Sequence, residues 1–172
     1  MSSLNKNTLI KSLLFYLPLF LLFLSVLNEI DFNYLEIEYF SFNFAHILIF
    51  YWTLKNPHYL SYRSIFIAGL VNDVVTGLPI GISSLCYLLI CAVTGYLRNI
   101  TLRPNFMNDW LSLLFTILLV NSIQVMSLDL IFSIDVNYMR YSINSGFTFV
   151  FYPLFLFLFN NLEKKIKTQK ND

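Results

Sequence analysis

The chain is short of charge, of flexible residues and of thiols, and each shortage excludes something. Lysine, arginine, aspartate and glutamate make up 12% of its 172 residues, where a soluble domain carries roughly 25%. With so little polar cover, a chain that is 57% hydrophobic has nowhere to bury its apolar surface in a water-soluble fold of this size. Five glycines and five prolines leave no room for a low-complexity linker. The two cysteines, Cys86 and Cys91, stand inside an apolar run with no second pair nearby. A metal site and a disulfide are both unexpected there, and buried free thiols are expected. The two histidines, His46 and His58, lie too far apart to found a compact metal site, so no cofactor is expected. No soluble segment is long enough to fold alone.

What is present is a series of long uncharged runs: 12–28, 39–54, 64–97 with Asp73 alone inside, 110–128 and 141–162. A helix crossing a ~30 Å hydrocarbon core needs about 20 residues. The run at 64–97 is too long for one crossing, and Gly77, Pro79 and Gly81 break it. The pattern therefore predicts an all-α integral membrane protein, a single transmembrane domain of six helices at about 12–28, 38–54, 59–76, 80–97, 110–128 and 142–162. The first run mimics a signal peptide, but Ser25-Val26-Leu27 puts a large residue where cleavage needs a small one, so it is expected to be retained. Pro18 and Pro153 are expected to kink the first and last spans, which membrane helices tolerate.

Sidedness follows from the basic residues. With the N-terminus in the cytoplasm, the inner segments hold Lys6, Lys11, Lys55, Arg63, Arg98, Arg103, Lys164, Lys165, Lys167 and Lys170, and the outer ones only Arg140. Glu29, Asp31, Glu36, Glu38, Asp129 and Asp135 collect outside. Both termini are expected in the cytoplasm, the last one anchored by its lysine cluster. The same charges fit four spans plus a re-entrant hairpin at 64–97, which leaves that alternative open.

Asp73 carries the sharpest signal. A carboxylate at membrane depth is costly and needs a reason in packing or function. Gly69, Asp73 and Thr76 share one helical face. With no second buried acid and no buried base, Asp73 is expected to be a hydrogen-bonding hub, accepting from the amides of the hairpin turn or from a neighbouring helix. Asn72, Asn121, Gln124 and Asn144, with Ser145, Thr148 and Tyr152, form a candidate polar seam between helices. Gly81-Ile82-Ser83-Ser84 lacks the last glycine of the rhomboid protease motif, and intramembrane aspartic proteases need a second acid. Neither a P-loop nor an HExxH motif is present. The chain is read as a non-enzyme.

The spacing Phe66-x-x-Gly69-x-x-x-Asp73-x-x-x-Gly77-x-Pro79-x-Gly81-x-x-x-Leu85 resembles the signature segment of the MreD family, rod shape-determining membrane proteins of bacteria. Upstream, Tyr51-Trp52-Thr53-Leu54-Lys55-Asn56-Pro57 is similar to that family's aromatic-then-proline end of its second span, with Thr53 where alanine is usual. The resemblance implies a scaffold of the cell-elongation machinery (the elongasome) in the inner membrane, maintaining rod shape during peptidoglycan synthesis. Its implied partners are an MreC-like bitopic protein, RodA, a class B penicillin-binding protein and, on the cytoplasmic side, MreB, with no nucleic acid. The seven signature residues, Phe66 to Leu85, are then structural or interaction positions. The family also resembles the substrate-binding S components of energy-coupling-factor transporters. That likeness implies a rival, a small-molecule-binding subunit whose cavity is lined by Asn72, Asp73, Asn121, Gln124 and Asn144.

Overall fold

Helix is the only regular structure among the described residues, and it closes the backbone hydrogen bonds of its interior within the segment that makes it. The structure, a computed structural model, describes residues 16–26, 41–100 and 105–171, with side chains of the last helix described as far as Lys164. The helices are α1 (Tyr16–Val26), α2 (Phe44–Lys55), α3 (Tyr62–Thr76), α4 (Ile82–Ile100), α5 (Phe106–Leu130) and α6 (Tyr138–Asn171). The first expected span keeps its helical character at Tyr16–Val26. Lys6, Lys11, the acidic segment 29–38, Arg103 and the side chains of Lys165, Lys167 and Lys170 lie outside what is described.

Among the described residues, three helices are long and apolar enough to cross a membrane: α4, α5 and the Tyr138–Lys164 part of α6. At 1.5 Å per residue, the 12 residues of α2 and the 15 of α3 reach only ~18 and ~23 Å. In the described part of the second expected span, 38–54, residues 41–43 are not helical and α2 starts at Phe44, where the Asn43 side chain accepts from the backbone N–H of His46 and caps the helix. The third starts at Tyr62 instead of 59, after a turn at 57–60 and an extended Ser61. The last two helices begin before their expected limits of 110 and 142, and α6 runs past 162.

The centre of the bundle is α2. Every residue from Ala45 to Thr53 is buried, as suits a helix that is apolar all round. It packs against α4, α5 and α6, and Phe50, Tyr51 and Trp52 are fully enclosed. Edge-on ring contacts tie it to its neighbours, Phe50 against Tyr152 and His46 against Tyr87. The outer helices turn apolar stripes outward instead: Leu111, Phe115 and Leu118 on α5, and Val150, Leu154 and Phe157 on α6. Their spacing of four and three residues puts each set on one helical face. Exposed apolar stripes of this extent suit a lipid solvent.

Pro153 shows how α6 keeps its backbone satisfied. Proline has no N–H, so the carbonyl four residues earlier, that of Phe149, loses its helical donor. The indole Nε1 of Trp110 on α5 donates to that oxygen at 3.0 Å. The indole also stacks on the Phe149 ring, with centroids 4.7 Å apart and planes 10° from parallel.

Candidate functional site

Helices α3 and α4 meet so closely that Gly69 has no room for a side chain. A Cβ there would lie 2.4 Å from the Cα of Ser84, so any larger residue would push the two backbones apart. Ser84 uses the contact, donating its hydroxyl to the Phe66 carbonyl at 2.9 Å. The turn between the helices is built by Gly77, which ends α3 in the left-handed region at φ 69°, and by Gly81 at φ 106°. Both are conformations that a side chain disfavours. The N–H groups of Gly77 and Leu78 return to the Asp73 carbonyl, and the Pro79 carbonyl accepts from Ile82.

The Asp73 side chain is fully buried and lies across the start of α4. Its two oxygens accept from the backbone N–H of Gly81 at 2.7 Å and of Ser83 at 2.8 Å. The first N–H groups of a helix have no partner within it, and the helix dipole there favours negative charge. A residue of α3 thus supplies the N-terminal cap of α4. Asn72 adds a second link, from Nδ2 to the Ser83 hydroxyl at 2.9 Å. Of the remaining signature positions, Phe66 and Leu85 are exposed, on the outer surface of the hairpin.

The polar residues expected to form a seam gather around one cavity of about 400 Å³. Asn72 reaches it from α3, Asn121 and Gln124 from α5, and Asn144 from α6. Asp73 is not among its described lining residues; its oxygens are turned to the hairpin. Asn121 donates to the Ser145 hydroxyl at 2.6 Å and Asn144 to Ser41 at 3.0 Å. Thr148 accepts from the backbone N–H of Asn43 at 2.9 Å, which ties the start of α2 to α6. Arg140 and the rings of Phe42, Phe44, Tyr87 and Tyr141 complete the wall.

At the other end of α2 lies a cluster that the sequence reading did not assemble. The Lys55 ammonium pairs with Asp109 of α5 at 2.7 Å. Glu163 of α6 accepts from Asn56 Nδ2 at 2.8 Å, and its other oxygen lies 2.9 Å from the Tyr51 hydroxyl. That hydroxyl also sits 2.8 Å from Asn160 Oδ1, and with one proton it donates to one of the two at a time. Thr53 approaches the Cys91 sulfur at 3.7 Å. Both cysteines are buried free thiols.

These features define an all-helical protein with membrane-crossing helices, held by polar contacts at both ends of one enclosed helix. The chain belongs to the MreD family: the family model described as rod shape-determining protein MreD matches residues 9–162. Membership gives it a role in rod shape determination and a place in the membrane. No curated protein and no solved structure matches the chain, so no solved fold carries the expected likeness to an S component.

Proposed function

We propose that this protein is a non-enzymatic scaffold of the rod machinery, crossing the inner membrane six times with both termini in the cytoplasm. Its partners are an MreC-like bitopic protein, RodA, a class B penicillin-binding protein and MreB. The observation that carries the reading is the use made of Asp73. The one acid in the long uncharged run turns both oxygens to the backbone of its own hairpin, a structural use that accounts for its burial without calling on proton transfer or ligand chemistry. Asp73 is therefore a structural hub, and Gly69, Gly77, Pro79 and Gly81 give the hairpin its shape. Phe66 and Leu85 are free on its outer surface to meet a partner's helix. The cavity favours a second reading, an S-component-like subunit, but that reading also requires an ATPase module.

The test is a mild crosslink in native membranes, followed by purification through a C-terminal tag. A periplasmic coiled-coil protein with wall synthases is the expected catch. A pair of cytoplasmic ATPases with a coupling membrane subunit would replace the scaffold with the transporter reading. Asp73→Leu would leave two buried N–H groups without an acceptor, each costing about 1–3 kcal/mol. Loss of the protein from membranes, and with it of rod shape, is expected. Unchanged abundance, complex formation and shape would remove Asp73 from the argument.

A further inference from the structure

The cavity beside the start of α2 is more polar than helix packing alone requires, and its polar groups are only partly used. Asn72 and Asn121 each spend Nδ2 on a neighbouring hydroxyl, which leaves the Oδ1 of each as an acceptor. The Gln124 side chain makes no hydrogen bond with any described residue, so its carboxamide keeps both functions. Arg140, exposed at the wall, forms no ion pair among the described residues. No carboxylate is among the described lining residues, because Asp73 faces the hairpin. Aromatic rings supply the apolar surface between these groups.

We infer that this cavity binds a small polyol carrying one anionic group. The volume of about 400 Å³ falls within the range of small-ligand sites, roughly 300–1,000 Å³. Hydroxyl groups would donate to Asn72 Oδ1 and Asn121 Oδ1 and exchange two hydrogen bonds with Gln124. The anion would meet the Arg140 guanidinium, which suits phosphate and carboxylate oxygens. The C–H faces of the ligand would lie against Phe42, Phe44 and Tyr141. A cation would find no counter-charge here, and a purely apolar molecule would strand the amides. Two sources share this chemistry: the headgroup of a glycerol-bearing anionic lipid and a free sugar phosphate. The inference stands apart from the choice of protein partner, since the crosslinking experiment does not touch it.

The test uses the purified full chain in lipid nanodiscs. One arm compares phosphatidylglycerol with phosphatidylcholine, and the other titrates glucose 6-phosphate into phosphatidylcholine discs. Thermal unfolding and native mass spectrometry are the readouts. A raised midpoint with a retained adduct is expected in one arm, and the arm identifies the source. Gln124→Leu and Arg140→Gln, which remove no side-chain bond among the described residues, should each weaken binding about tenfold without moving the ligand-free midpoint. The inference falls if neither probe stabilises the chain, if both variants bind as the parent does, or if inorganic phosphate binds as tightly as glucose 6-phosphate.

Discussion

Both ends of α2 are lined with polar side chains, but they use them in opposite ways. At its C-terminal end the charges are matched across helices, Lys55 with Asp109 and Glu163 with Asn56 and Tyr51. At its N-terminal end, amides and hydroxyls border a cavity with hydrogen-bonding capacity to spare. The first arrangement locks α2 to α5 and α6. The second leaves space that costs packing, bordered by amides whose hydrogen-bonding groups are only partly used. The contrast separates what holds the bundle together from what the bundle can hold.

The largest break in that contrast should come from Lys55→Met. It leaves Asp109, whose side chain is 7% exposed, as a buried charge without its partner, at a cost of about 3 kcal/mol. Denaturant unfolding in detergent should show it, and an unchanged midpoint would mean that the pair is solvated. A smaller loss is expected from Trp110→Phe, which keeps the ring stack but strands the Phe149 carbonyl, at about 1–2 kcal/mol. The same unfolding assay checks it, and trypsin sensitivity of α6 gives a second view. Gln124→Leu should change stability by no more than about 0.5 kcal/mol. A loss as large as that of Lys55→Met would make the cavity end as structural as the other.

Much of this was legible in the residues. Asp73 within an apolar run, followed by three helix breakers, pointed to a hairpin whose amides the carboxylate could accept from, and the structure contains those bonds. Asn72, Asn121, Gln124 and Asn144 could be grouped by helical spacing, although spacing cannot say that they surround a void. The cluster of Lys55, Asp109 and Glu163 was harder to read. Each charge lies near the end of an apolar run, where solvation explains it equally well, and partners drawn from three helices share no local pattern. A signal did exist for Trp110: a proline inside a long helix orphans one nameable carbonyl, and a donor for it has to come from elsewhere. The limits of α2 were missed because Asn43 caps the helix within what reads as a continuous apolar run.

The cap that α3 provides for α4 bears on how the protein is made. Alone, α3 is a 15-residue segment carrying a bare acid in its last turn, and a carboxylate without partners is costly in any apolar surrounding. The donors that relieve the cost, the N–H groups of Gly81 and Ser83, are synthesised only afterwards. The two helices are thus one folding unit. The first carries an uncompensated acid until the second has been made, and the hairpin closes only when both are present.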